Sequence, residues 1–251
     1  MAQPAPAAGP ASHVQGDVST SQDIDNRGAA AAPSAQARTT TAERSIAVRW
    51  NLYGTPATLV PRTDIAPRAA AGADPVAIAR GFLATNRTAF GLSDHSINEM
   101  DVLVNRPMGE GSYVMLRQRF GSLPSALDGL AAFGIRDGAV VYLTSTISPN
   151  QAAPEPATLS AEQALAAAAA DAGLALDAVG TSRVQPGAVP MPGAAARSAY
   201  QVVLLGKDQA DLTGFTTYID GRTGKVLFRE DIVDHDVDNP EWDVFPANPP
   251  A

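Results

Sequence analysis

The sequence predicts an α+β fold of two small units, each with one helix packed on an antiparallel sheet. Helical periodicity occurs near residues 75–88 and 160–172, and several short alternating segments typical of strands follow each helix. In both units the last two strands flank a tight Asp/Gly turn. A segment without periodicity precedes the first unit, and an acidic, Pro-rich segment follows the second.

Residues 1–42 are predicted to form a disordered N-terminal arm. They are mainly Ala, Pro, Ser, Gln and Thr, with almost no large apolar side chain. Such a segment cannot bury enough apolar surface to offset the entropy of ordering it. The residues after Met1 resemble a sequence that follows a removed signal peptide, so we expect a secreted protein.

The first unit is predicted over residues 43–150. Two alternating runs around Gly54-Thr55-Pro56 indicate a β-hairpin. Asp74 supplies an N-cap, and Pro75 a first-turn proline, for a helix over residues 75–88. The strands predicted next are 101–105, 112–120, 130–135 and 139–144, the last two joined by an Asp137-Gly138 turn.

The second unit is predicted over residues 151–232. Ser160 and Gln163 form a capping box that begins an Ala-rich helix ending near Ala172. A Gly- and Pro-rich stretch over 180–193 follows. Strands are then predicted at 200–205, 214–219 and 225–228. The shared plan of the two units indicates either an old duplication or the backbone geometry that all such hairpins require, and we favour the second interpretation.

The charge distribution argues against a nucleic-acid ligand. The formal net charge is -8, and residues 230–251 hold seven acidic residues, four prolines and no Lys or Arg. The rest of the chain is nearly neutral and shows no basic stripe. No apolar run approaches the ~18 residues of a membrane span. The chain has no cysteine, and its basic residues are nearly all Arg, a weak sign of a GC-rich bacterial gene.

The sequence offers few candidates for catalysis. None of the three histidines stands in an H-E-x-x-H motif, and no serine has a G-x-S-x-G setting. Asp234, Asp236 and Asp238 match the first ligands of a calcium loop. However, Asn239 and Phe245 occupy the positions that require Gly and Glu. We therefore predict no catalytic residue, metal site or cofactor in this chain, and expect residues 233–251 to form an extended linker.

The segment Arg117-Gln118-Arg119 is the most distinctive strand end. On a strand, Arg117 and Arg119 share one face with Met115, while Gln118 lies on the other with Leu116 and Phe120. One interpretation is an ordinary polar outer face. The other is a docking surface for a partner.

Several motifs, taken in order, resemble protease pro-regions. Gly54-Thr55-Pro56, Phe90-Gly91-Leu92 and residues 114–124 together resemble the fungalysin/thermolysin propeptide (FTP) domain. The capping box and residues 218–227, with their Asp-x-x-Thr-Gly-Lys-Val ending, resemble a PepSY domain. Residues 238–250 resemble the segment that joins the pro-region to the catalytic domain in fungalysin-like metallopeptidases.

The resemblance implies a pro-region that acts as intramolecular chaperone and inhibitor of a secreted zinc metallopeptidase. The catalytic domain, with its zinc, would follow residue 251, so this chain would not itself be an enzyme. Its partner would be that cognate catalytic domain. The docking candidates are Arg117, Gln118, Arg119, Trp242 and Phe245. The alternative is a stand-alone secreted binding module or trans-acting protease inhibitor.

Overall fold

The computed structural model describes residues 23–62, 68–70, 72–149, 152–208 and 213–233. It has an α+β fold built on antiparallel sheets, as the sequence predicts. The strands are β1 (Ile24–Asp25), β2 (Ser45–Trp50), β3 (Pro56–Pro61), β4 (Asp101–Met108), β5 (Gly111–Arg117), β6 (Arg119–Phe120), β7 (Leu123–Pro124), β8 (Leu130–Arg136), β9 (Ala139–Ser145), β10 (Val179–Met191), β11 (Ala194–Gly206), β12 (Gly214–Asp220) and β13 (Val226–Asp231). The helices are α1 (Ala35–Arg44), α2 (Pro75–Thr85), α3 (Arg87–Phe90), α4 (Asp94–Asn98) and α5 (Ala161–Asp171), and a 3₁₀ turn covers Leu176–Ala178.

The first sheet has six strands in the order β2-β3-β9-β8-β5-β4. Its inner face packs against α2, α3 and α4, and the core includes Leu83, Phe90, Leu116 and Phe133. Asp74 caps α2 as the sequence predicts, because its carboxylate accepts hydrogen bonds from backbone N–H groups of the first turn. The predicted helix over 75–88 is divided into α2 and α3.

The second sheet has five strands in the order β1-β13-β12-β11-β10, and α5 packs on it. The Ser160–Gln163 capping box is present with both of its hydrogen bonds. Ala164 and Ala168 are fully buried against the sheet, and their small side chains let the helix approach it closely. A bridge between Ser125 and Ala188 of β10 connects the first unit to this sheet.

The Gly- and Pro-rich stretch over 180–193 forms most of β10 and its turn into β11. The sequence does not predict this strand, because Pro186 and Pro190 lack the N–H groups that a ladder uses. However, β10 is an edge strand, the position where proline is tolerated. The second sheet therefore contains the three predicted strands, with β10 added at one edge and β1 at the other.

The prediction of disorder does not hold for residues 23–42, which form β1, α1 and the segment between them. β1 pairs with β13 from the opposite end of the chain, with Ile24 opposite Arg229. Composition alone cannot reveal a partner so distant in sequence. Residues 1–22 and 234–251 lie outside the described residues, so the predictions made for them stand as predictions.

A buried arginine, Arg27, connects the N-terminal segment to both sheets. Its guanidinium donates two parallel hydrogen bonds to Asp25, at 2.9 and 2.7 Å. It also donates to Asp128 at 2.6 Å and to the Tyr53 hydroxyl at 2.9 Å. Its planar group lies 5.0 Å from the ring centre of Phe228 in β13. Tyr53 and Asp128 belong to the first unit, so one cation contacts three parts of the chain.

The neighbours of Arg27 change one another's ionisation. Burial opposes the charge of Arg27, but the hydrogen bonds to Asp25 and Asp128 outweigh it, and the pKa of Arg27 is raised. The hydrogen bond from Arg27 lowers the pKa of Asp25. Burial, with the nearby charge of Asp128, raises the pKa of Tyr53, so this hydroxyl stays protonated and donates to Asp128 at 2.7 Å.

We predict that Arg27→Ala destabilises the protein by about 3 kcal/mol, because it removes a buried side chain and leaves the partly buried carboxylate of Asp128 without its cation. Urea unfolding measures this change, and hydrogen exchange should show faster exchange in β1 and β13. Arg38→Ala, at an exposed position of α1, is the matched control and should change stability by less than about 0.5 kcal/mol. Equal stability of the two variants would contradict the role given to Arg27.

Candidate docking surface

The first sheet has an outer face that none of the described helices covers, called here the open face. It is formed by side chains that alternate with the buried ones along β4, β5, β8 and β9. Cross-strand pairing places Arg106, Tyr113, Gly134 and Tyr142 in one row. Tyr142 is 44% exposed, and Arg106 lies over the ring of Tyr113 at 5.7 Å. Aromatic residues and Arg are the types enriched at protein interfaces.

The two arginines predicted as docking candidates meet at one end of the open face. Arg117 donates two hydrogen bonds to Asp101, at 3.2 and 2.9 Å. Arg119 donates to both oxygens of the same carboxylate, at 3.0 and 3.3 Å, and also to the backbone carbonyl of Ser122. About a third of each arginine side chain is exposed. Asp101 therefore fixes two partly exposed cations side by side.

The carboxyl group of Asp101 responds to these neighbours. Its partial burial opposes ionisation, but the hydrogen bonds from Arg117 and Arg119 outweigh that effect and lower its pKa. The carboxylate stays charged at neutral pH and orients both guanidinium groups. Asp101 is not among the residues predicted from the sequence. It begins the predicted strand that precedes the strand of Arg117, and this position indicates an acidic partner for the arginine.

Gln118 lies on the opposite face, as the alternation predicts, and is fully buried. Its amide N–H donates to the carbonyl of Ser148 at 2.7 Å, and its amide oxygen accepts from the N–H of Ser148 at 3.1 Å. Because both polar ends are used inside the protein, the side chain is not available to a partner. Its place among the docking candidates is therefore wrong.

The end of this strand also holds the connection between the two units. Gly121 has a positive φ of 61°, and a Cβ at this position would lie 2.8 Å from the Cβ of Ala153. The connecting chain therefore runs too close for any other residue. Gln118 therefore holds Ser148, and Gly121, three residues later, makes room for Ala153. Both residues of this strand end serve the connection between the two units.

The edge strand β4 carries exposed apolar side chains beside the open face, although Val102 pairs with the core residue Leu116 and so lies on the inner side. Val102, Leu103 and Met108 are between 42% and 57% exposed. A register shift between Val102 and Val104 places Leu103 as an extra residue in the strand. The sequence alternation did not reveal this bulge. Trp242 and Phe245, the remaining docking candidates, lie outside the described residues.

The Asp-x-x-Thr-Gly-Lys-Val ending has a structural explanation. Asp220 is almost fully buried, and its carboxylate accepts hydrogen bonds from the backbone N–H groups of Arg222 and Thr223 at 2.9 Å each. Arg197 donates to its other oxygen at 2.8 Å. Burial opposes the ionisation of Asp220, but these hydrogen bonds outweigh it and lower the pKa. The motif therefore fixes a turn.

Within the described residues, no group of three or more His, Cys, Asp or Glu side chains is placed to hold a metal ion. No helix in the same part of the chain combines the length and the apolar character needed to cross a membrane.

Comparisons with known proteins give a structural likeness but no family. No protein-family model and no curated protein sequence matches the chain. Among solved structures, the chain is similar to the Bacillus megaterium YpeB C-terminal domain, with 14% sequence identity and a TM-score of 0.33. The match covers 71% of this chain and 73% of that domain. A TM-score of this size supports no conclusion about family or function.

We predict that Asp101→Asn lowers stability at pH 6 by up to about 1 kcal/mol, because the Arg117 and Arg119 ion pairs are partly exposed. The pKa of Asp101 is lowered from 3.8 in the folded state, so its contribution is present above about pH 4 and is lost as pH falls further. Urea unfolding of parent and variant at pH 6 and at pH 3 should show the difference shrinking with acid. Glu43→Gln, at an exposed position of α1, controls for loss of a carboxylate, and a difference that is constant with pH would contradict the prediction.

Proposed function

We propose that this chain is a pro-region that assists the folding of a secreted fungalysin-like zinc metallopeptidase and inhibits it. The observation that carries the proposal is the open face, a sheet surface rich in Tyr, Met and Arg side chains with an apolar edge strand beside it. Surfaces of this kind bind proteins. The order of the FTP-like, PepSY-like and linker motifs supports a metallopeptidase as the partner.

The proposed docking surface has a central part and a rim. Tyr113, Met115 and Tyr142 supply apolar contact area at the centre. Asp101 holds Arg117 and Arg119 at one end, where they can donate to carboxylates or carbonyls of the partner. A stable complex needs ~800 Å² on each partner.

Chaperone and inhibitor roles follow from one physical effect. Many extracellular proteases fold over a high barrier and persist through kinetic stability. A pro-region that binds the folding transition state lowers this barrier. Covalent attachment gives it a high effective concentration, so modest affinity is sufficient for inhibition until the linker is cut. In this proposal the zinc and the peptide-bond chemistry belong to the partner, and this chain contributes binding energy alone.

The proposal is tested by refolding the cognate catalytic domain from urea with and without this chain, and measuring casein hydrolysis. We expect a higher yield of active protease at early times, followed by inhibition when the chain is in excess. The chain alone with zinc should not hydrolyse casein. No effect on refolding yield together with no inhibition would refute the proposal. Inhibition without any effect on refolding would favour the alternative, a trans-acting inhibitor.

We predict that the double variant Arg117→Gln/Arg119→Gln weakens inhibition about 10-fold or more, and that Tyr142→Ala does so to a similar degree. Inhibition constants measured against the folded protease test this expectation. The matched control is Arg38→Gln/Arg183→Gln, which removes two exposed arginines outside the open face. Equal inhibition by the control and the test variants, all verified as folded, would exclude the open face as the docking surface.

A further inference from the structure

A second surface lies on the other side of the first sheet and is independent of the proposed function. It is a groove of about 610 Å³ between α2 and the end of the sheet. Its walls are apolar, with Leu59 and Val140 from the sheet and Ile78 and Phe82 from the helix. Volumes of ~300–1,000 Å³ with mostly apolar walls are typical of ligand sites. Gly81 leaves one wall without a side chain.

Three arginines lie at the rim of this groove. Arg44, Arg62 and Arg68 line it, and none of the described residues that line it is acidic. The Arg44 guanidinium is held there by a hydrogen bond of 2.7 Å to the carbonyl of Thr85 on α2. The groove is therefore suited to an extended segment that combines carboxylates with large apolar side chains.

Residues 234–251 of the same chain have this chemistry. They contain five carboxylates and no Lys or Arg, and Trp242 stands between Glu241 and Asp243 with Phe245 three residues further on. We propose that this C-terminal segment docks in the arginine-rimmed groove of its own chain, with its aromatic side chains on the apolar walls and its carboxylates on the arginines.

The reach of the segment is comparable with the largest possible distance to the groove. β13 ends at Asp231, Val233 lies five residues beyond Phe228, and the groove residue Pro61 lies eight residues beyond Tyr53. Arg27 holds Tyr53 and Phe228 close together. At ~3.3 Å per residue the two stretches add up to ~45 Å, an upper limit that applies only if both run straight and away from each other, and Trp242 and Phe245 reach up to ~30 and ~40 Å from Val233. Tethering supplies an effective concentration of ~1 mM, so weak contacts are sufficient.

Trp242 provides a direct reporter of docking. The chain has two tryptophans, so Trp50→Phe in the full chain leaves Trp242 as the single one. We expect its emission to be blue-shifted and its quenching by acrylamide to be several-fold weaker than in a free peptide of residues 234–251. Raising the salt concentration should reverse part of this protection, because ion pairs at a rim are screened.

Two variants made in this background test the two halves of the groove separately. Gly81→Leu fills the apolar wall, and it should not disturb the fold, because no atom lies within 4 Å of a Cβ at this position and Leu favours a helix more than Gly does. Arg44→Glu/Arg68→Glu reverses the charge of the rim. Each variant should shift Trp242 emission to the red and raise its quenching towards that of the free peptide. Arg49→Glu/Arg183→Glu, at exposed positions outside the groove, should leave both unchanged.

Three outcomes would overturn the proposal. In the first, Trp242 is quenched as strongly in the folded chain as in the free peptide. In the second, Gly81→Leu retains the stability of the parent and also retains the protection of Trp242. In the third, protection disappears on about a hundred-fold dilution, which would mean that the segment occupies the groove of a second copy, because docking within one chain does not depend on concentration.

Discussion

One cation, the guanidinium of Arg27, holds together three parts of this chain that are far apart in sequence. Asp25 lies in the short strand that precedes the first unit, and Asp128 lies between β7 and β8 of that unit. Phe228 lies in the last strand of the second unit. A buried cation has a large desolvation cost, so it is stable only while all its partners are in place. The network therefore couples the packing of the two sheets to the hydrogen bonds of one side chain.

The sequence predicted the parts of the fold that depend on local patterns. Alternation predicted most strands of the first sheet, and capping chemistry predicted where α2 and α5 begin, because both depend on neighbouring residues. It also placed Gln118 on the buried face, although its buried hydrogen bonds to Ser148 exclude the docking role it was given. The sequence did not predict β1 and β10, because these strands depend on partners that are distant in the chain. β10 looks unsuitable as a strand until its edge position is known, and β1 has no apolar pattern of its own.

The two faces of the first sheet have different surroundings. Helices cover the inner face, and the arginine-rimmed groove is where that covering ends. The open face is aromatic and cationic, and its arginines are already oriented by a carboxylate of the same sheet. Because the sheet core separates them, a ligand on one face leaves the other accessible. Under the two proposals, a folding partner and the C-terminal segment would be bound at the same time.

The pairing of β1 with β13 also has a consequence for the order of events during synthesis. Ile24 leaves the ribosome early, and its partner Arg229 is made about 200 residues later. The first sheet can form while the chain is being translated, but the contact that locks it to the second sheet must wait for nearly the whole polypeptide. Until then the N-terminal segment has no partner strand, so its unpaired backbone groups are open to pairing with another molecule.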